Sequence, residues 1–379
     1  MTRLYLFVLL SLLFFHANIC AQTTDSLKFG LNYYASFRGH FQYYNKDLTM
    51  QENGSRLGFE FSEYGSSSRY FMGAEIGINL FSGSTNFNIA NRTSSGFFVL
   101  DQSQTKQLFA ARTGYMGVDL GKYGTFKLGK QYGAYYDIAA YTDQFNVFGC
   151  NGSNAYPANS DGGDLGTGRA NQSLTYRNKW GKWYVGVQGL FGSALDHKFS
   201  NGIGASVQYQ INPLLKVGVA YNKAYVSPML ISKVIGFKAN PQYMIMGLSY
   251  ENKKWYTAAL LSRQTNGDLV SMEINNESNS VVFDAYGVEY ITRYKQHKTT
   301  FLVGYNGLFP STKNLPLSHQ FMRSYIIAGF EYKPIKRVIF YGEGRISTGN
   351  DHYGLKENNI GLFGLRIDFN GSQQKTIHY

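Results

Sequence analysis

The sequence predicts an all-β fold, a 16-stranded antiparallel transmembrane β-barrel with short turns on one rim and long loops on the other. Three observations predict it. Apolar and polar residues alternate with period two in segment after segment. No stretch beyond Gln22 approaches the ~18 apolar residues of a spanning helix. The connections between segments are alternately tight and long, the asymmetry of a barrel inserted from one side of a membrane.

The N-terminus predicts an export signal over residues 1–21. Arg3 is the sole charge before an apolar run from Leu4 to Phe15, and Ile19-Cys20-Ala21 ends in a small residue suited to cleavage. The run is too short for a membrane anchor, and Ile19 suits a lipoprotein cut before Cys20 poorly. Residues 22–369 then form the barrel, and Asn370–Tyr379 is expected to trail from it as a polar periplasmic tail.

Composition agrees with a wall wet on one side. The chain holds 31 Tyr, 28 Phe and 42 Gly, only 16% charged residues, and a mean hydropathy of -0.27. Such aromatic content without long apolar runs fits strands with one face on lipid and one on water, although soluble β-sandwiches share the bias. Net charge is +12, and loss of Arg3 lowers it by one. Nucleic acid is excluded as a partner, because the chain is exported and its Lys and Arg are scattered singly along strands. Cys20 leaves with the signal, so Cys150 stands alone and no intrachain disulfide forms.

Element by element, the alternation is plain. Leu31, Tyr33, Ala35, Phe37 and Phe41 oppose Asn32, Ser36, Arg38, His40 and Gln42; near the end Phe363, Leu365, Ile367 and Phe369 oppose Gly364, Arg366 and Asp368. Sixteen such segments lie near 30–44, 53–64, 69–82, 105–120, 123–132, 169–178, 182–192, 202–211, 214–226, 240–251, 254–265, 280–294, 298–308, 321–333, 336–347 and 357–369. Tight links fall at Gly65–Arg69, Gly121–Tyr123, Asn178–Lys182, Asn212-Pro213, Asn252-Lys253, Lys295–His297 and Lys333–Lys336. The long ones are 83–104, 133–168, 227–239, 266–279 and 309–320. Trp180, Trp183 and Trp255 beside tight turns read as part of an aromatic girdle.

The link 133–168 is too long for an idle loop. It opens Tyr132-Gly133-Ala134-Tyr135-Tyr136-Asp137, continues Tyr141-Thr142-Asp143, and leads to Gly168-Arg169 and Thr175-Tyr176-Arg177-Asn178. Before it stand Ser55-Arg56-Leu57-Gly58-Phe59 and Arg112-Thr113-Gly114-Tyr115-Met116-Gly117. In these motifs the chain resembles the general diffusion porins of Gram-negative outer membranes, closely over about 53–65 and 105–180 and by strand rhythm elsewhere.

That resemblance implies that loop 133–168 folds into the pore and narrows it. It places Arg56, Arg112 and Arg169 on an arginine ladder of the wall and Asp143 on the loop facing it. Ser36, or Arg38 one pleat on, falls where a first-strand lysine often lines the wall, and Arg177 is counted with the constriction. The family's second loop acid falls at Val147. Parity supports the ladder, with Leu57/Phe59, Thr113/Tyr115 and Ala170/Gln172 expected to face away from the lumen. An arginine on the lipid side would cost roughly 2–4 kcal/mol near the midplane. The plainer reading is that these arginines simply hold the loop.

The expected function is a water-filled channel for passive diffusion of small hydrophilic solutes and ions, leaning toward anions because one loop acid is missing. A sugar- or phosphate-selective porin is the alternative, and a plugged adhesin barrel or a barrel enzyme lies further off. No catalytic residue and no cofactor is expected: the histidines are isolated and no nucleophile–base pair stands out. Asp161-Gly-Gly-Asp164 lacks the spaced ligands of a calcium loop. Expected partners are outer-membrane lipid and lipopolysaccharide, the transported solutes, the barrel-assembly machinery and, by resemblance, two further copies in a homotrimer. The expected location is the outer membrane of a Gram-negative bacterium.

Overall fold

The computed structural model describes residues 26–81, 108–157, 160–192, 199–312 and 315–378; the expected signal and the link 83–104 lie outside these. The strands are β1 (Ser26–Tyr44), β2 (Asp47–Glu52), β3 (Ser55–Tyr64), β4 (Arg69–Ile78), β5 (Phe109–Asp119), β6 (Thr125–Tyr132), β7 (Arg169–Trp180), β8 (Trp183–Leu190) and β9 (Phe199–Gln210). They continue as β10 (Leu215–Val226), β11 (Gln242–Glu251), β12 (Trp255–Ile274), β13 (Glu277–Gln296), β14 (Thr299–Pro310), β15 (Arg323–Ile335), β16 (Val338–Ser347) and β17 (Ile360–His378). Helix α1 (Tyr136–Ala139) lies in the long loop and α2 (Pro228–Lys233) in the link after β10.

Sequence neighbours pair antiparallel except β2 and β3, and β1 closes the ring on β17 from Ser26↔His378 to Tyr43↔Gly361. Segments β2 and β3 are halves of one barrel stave, since both pair with β1. Between Gly39↔Glu52 and Ser36↔Arg56, three residues of the stave oppose two of β1, and Gly54 takes φ 65° there. An extra residue of this kind bends a strand without ending it. The barrel therefore has sixteen staves.

The residue types are distributed inside out. Met72, Met116, Leu128, Ile203, Val219, Met246, Leu261 and Phe301 are exposed on the outer wall, whereas Ser206, Asn222, Gln264, Glu289 and Asn306 are buried within. Lipid, not water, is the solvent for the outer face. Trp180, Trp183 and Trp255 are exposed at short turns, and the last two lie against Tyr209 and Tyr294 at 4.6 and 4.5 Å between ring centroids.

Two expected boundaries differ. The link 266–279 is no long loop: β12 and β13 run to Ile274 and from Glu277. Asn275 and Asn276 have φ 55° and 64°, the paired left-handed conformation of a tight hairpin turn. The extended hairpin buries Val270, Met272, Val281 and Phe283 with Leu308 and Phe321, which gives its apolar residues a reason to stay in strand. The tail is also corrected. Residues 370–378 continue β17 and pair with 26–34 of β1, because β1 itself begins at Ser26 and needs a partner on that side. Deleting 370–379 removes nine paired positions, each hydrogen bond contributing about 0.5–1.5 kcal/mol. The truncated barrel is expected to lose its compact, heat-modifiable band on SDS gels at a distinctly lower temperature than the full chain.

Candidate functional site

The loop 133–168 lies inside the barrel. Tyr135, Ile138, Ala139, Val147, Phe148, Ala155 and Leu165 are buried, packed with wall residues Tyr243, Ile245, Ala258, Leu260, Ile291, Leu302 and Ile327 of β11–β15. These apolar loop residues would otherwise stand in water, so the loop carries the main hydrophobic core of the protein on its wall side.

Wall carboxylates then fasten its backbone. Glu343 of β16 accepts the amides of Asn146, Val147 and Phe148, the last two at 3.0 and 3.3 Å. Glu289 of β13 accepts the Ser153 amide at 2.7 Å and the Thr142 hydroxyl. Glu331 of β15 accepts from the Asn146 side chain at 3.0 Å. A buried carboxylate needs such donors, and loop amides away from strand partners need acceptors. Close approach is possible because Gly287 faces Gly152: a Cβ at 287 would stand 1.7 Å from the Gly152 carbonyl oxygen.

At the other flank the loop is tied by charge. Asp137 pairs with Arg177 at 3.1 Å and accepts from Ser206 at 2.8 Å. Asp161 pairs with Lys130 at 2.7 Å and with Arg169 at 3.6 Å. Burial works against ionisation of Asp161, but Arg169 and Lys130 outweigh it and hold its carboxyl below the ordinary range. Asp164 bonds to Asn171 at 2.8 Å, so the two acids of Asp161-Gly-Gly-Asp164 are taken by three protein side chains, Lys130, Arg169 and Asn171. Cys150 is buried in the loop, and burial pushes its thiol well up.

Between loop and opposite wall lies a cavity of ≈ 440 Å³ lined by Arg38, Arg56, Arg112, Arg169, Arg293, Arg366, Lys333 and Lys336. Its acids are Asp143, Glu331 and Asp368. Eight cations thus face three carboxylates. On the wall, Arg112 sits 2.6 Å and Arg56 3.9 Å from Glu75, and Arg366 2.8 Å from Asp368. Ser36 links Asp368 and Arg38, at 2.6 and 2.7 Å. Tyr132 and Tyr136 stack at 4.5 Å, and Tyr156 follows at 5.9 Å with the Arg169 guanidinium over its ring at 5.7 Å.

Of the residues singled out from sequence, Arg38, Arg56, Arg112, Arg169 and Asp143 meet at this cavity, and Arg177 does not line it. Arg177 instead holds the loop through Asp137 and the Tyr132 carbonyl, at 2.9 Å from the latter. Arg169 does both, lining the cavity and pairing with Asp161 of the loop. Asp143 meets Tyr136 rather than an arginine; the loop acids that pair with arginines are Asp137 and Asp161.

The parity argument fails for two of three arginines. Tyr115 faces inward, bonding Glu60 at 3.0 Å, while Met116 is on the outer wall. Arg112 still reaches the lumen because the register slips between Glu75 and Ile76, leaving Arg112 as the extra residue of a bulge. A second slip between Gly129 and Gln131 interrupts the alternation after Arg169, where Ala170 is fully buried. Bulges re-aim side chains in just this way. Val147 is also reinterpreted: it is buried and does not line the cavity. Sequence reasoning missed Glu343, Glu289, Arg293 and Lys336. Arg366 and Asp368 were visible on the polar face of their strand but carried no signal of a shared cavity.

A closed barrel of sixteen staves with an apolar exterior, a polar lumen and an inward loop defines an outer-membrane barrel of the pore-bearing class. The chain belongs to the Gram-negative porin family, whose model matches residues 10–343. It is similar to outer membrane porin F of Escherichia coli, 27% identical over 262 residues, 66% of this chain and 64% of that protein. The chain therefore matches just under two thirds of that relative's length. Its fold is that of OmpF of Salmonella typhi solved with daunomycin (TM-score 0.71, 17% identity, 91% of this chain and 98% of that one). The anion-selective porin of Comamonas acidovorans shares the fold too (TM-score 0.60, 16% identity, 90% of this chain and 100% of that one). The family places the protein in the outer membrane of a Gram-negative bacterium, among porins and not among enzymes.

Replacing Glu343 with alanine orphans three loop amides, at about 1–3 kcal/mol for each buried group left unsatisfied. Glu343→Ala and, independently, Gly287→Val are expected to unseat the loop, and single-channel recording would show larger and noisier openings than the parent. Unchanged openings in both variants would mean that the loop is not held by these contacts.

Proposed function

We propose that the protein is a channel for passive diffusion of small hydrophilic solutes and ions, with a preference for anions. The observation that carries the preference is the charge of the cavity beside the loop, eight cations against three lining acids. The excess remains when Glu75 and Asp161, which pair with Arg56, Arg112 and Arg169 from outside the lining, are added. The reason differs from a single missing loop acid. Glu289 and Glu343 are engaged by loop donors and do not line the cavity, whereas cations remain along it. In a narrow wet passage, fixed charge lowers the barrier for counter-ions and raises it for co-ions. Arg38, Arg56, Arg112, Arg169 and Asp143 are read as the constriction, and Arg177 as a loop anchor. The likeness in fold to an anion-selective porin agrees with this reading.

The first 21 residues serve as an export signal in this reading, and three copies assemble by family likeness. A sugar-selective channel is the second reading, favoured by the stacked Tyr132, Tyr136 and Tyr156.

In bilayers under a salt gradient the reversal potential is expected on the anion side, and Arg38→Gln with Arg366→Gln moves it toward zero. A cation-side potential for the parent would refute the charge argument. Maltotriose at millimolar concentration is expected to leave the current uninterrupted; discrete block would favour the sugar-selective reading.

A further inference from the structure

We propose that a second cavity, separated from the constriction by Tyr136 and Gln144, binds a small acidic saccharide. The inference rests on the reading of the barrel as an open channel. The cavity measures ≈ 510 Å³, within the ~300–1,000 Å³ range of small-ligand sites. Tyr136 and Gln144 line both cavities, so the two adjoin at these side chains. Its other walls come from α1 and the short-turn ends of β7–β12.

Three features select the ligand. The first is positive charge with no acid against it. Lys179, Lys182 and Lys216 line the cavity, and none makes an ion pair among the described residues, although Lys182 donates to the Ile211 carbonyl at 3.1 Å and the Lys216 ammonium lies 4.5 Å over the Tyr141 ring. The one acid in the lining, Asp137, is taken by Arg177 and Ser206. Glu251 on the neighbouring strand is exposed and lies outside the lining. The constriction differs, because most of its arginines stand beside a carboxylate, although its cations still outnumber its acids. Lysine ammoniums suit a carboxylate or phosphate oxygen as point charges.

The second feature is aromatic surface. Tyr141, Tyr184 and Tyr256 line the cavity; Lys216 covers the Tyr141 ring, which leaves Tyr184 and Tyr256 as the rings on which the apolar face of a pyranose can lie. The third is fixed amides. Tyr256 donates to the Tyr141 carbonyl at 2.6 Å, and Tyr141 donates to Gln208 Oε1 at 2.8 Å. Gln208 is thus held through its oxygen and keeps its NH₂ as donor. Gln210 is held through Nε2, which donates to the Asn212 carbonyl at 2.6 Å, and keeps its oxygen as acceptor. Ring hydroxyls need both kinds of partner. A bare phosphate would use the lysines and leave the tyrosines and amides idle; a neutral sugar would do the reverse.

The test uses the full chain in planar bilayers, with trigalacturonate, maltotriose or inorganic phosphate added on one side at a time. Trigalacturonate is expected to interrupt the current in resolvable events, more often from the short-turn side, and the other two are not. Changing Lys179, Lys182 and Lys216 together to glutamine should shorten the blocked time about tenfold or more, equivalent to roughly one charge-assisted hydrogen bond. Where that variant yields no open channels, Lys216→Gln alone carries the comparison. Equal block by maltotriose, or unaltered blocked times in the lysine variants, overturns the site while sugar-free conductance still supports the channel. A parent barrel with no conductance overturns the channel reading, and the site with it.

Discussion

The seating of the loop 133–168 on the inner wall of β11–β16 is the interaction from which the rest of the lumen follows. An open barrel of sixteen staves has no interior core of its own, because its side chains alternate between lipid and water. Here Ile138, Val147, Phe148 and Leu165 supply one, and they bury themselves against one half of the wall only. Hydrophobic burial is not directional, so the orientation of the loop has to come from polar contacts. Glu289 and Glu343 provide it by accepting backbone amides at fixed points, and Asp137 and Asp161 provide it from the loop's own side.

That arrangement sorts charge across the passage. Carboxylates of the β13–β16 wall sit behind or beside the loop, where they answer backbone donors. The facing wall of β17 and β1–β7 keeps its arginines, with Glu75 and Asp368 as acid partners on that same wall and Asp161 reaching Arg169 from the loop. A solute therefore meets mostly guanidinium and ammonium groups with tyrosine rings between them. Packing and electrostatics are thus one design: the residues that anchor the loop withdraw negative charge from the open path.

The arginines depend on irregular backbone. Arg56 follows Gly54 by two residues, Arg112 is the extra residue in a bulge, and Arg169 precedes another slip in register. Regular alternation would commit each position to one face for the whole length of a strand. A bulge frees one residue from that commitment, which lets three staves converge their cations at one height without turning apolar neighbours into the lumen. Glycine serves the same end at Gly287, where the loop backbone approaches closer than any side chain would allow.

Barrel class, the number of staves and the alternation of turn and loop were legible in the sequence, because period-two patterning is local and repeats sixteen times. The resemblance in the motifs around Arg56, Arg112, Tyr136-Asp137 and Thr175-Tyr176-Arg177 also pointed to the inward loop. What tertiary structure alone decided is which charges meet. Glu343 lies nearly two hundred positions from the amides it holds, and no spacing in the chain records that closure. Register slips beside Arg112 and Arg169 were equally invisible, since one unpaired residue reverses parity without changing composition. The same holds for 266–279 and 370–378, whose strand state depends on partners: the apolar cluster around Phe283 and the free side of β1. Local chemistry determined the wall, and long-range pairing determined the passage through it.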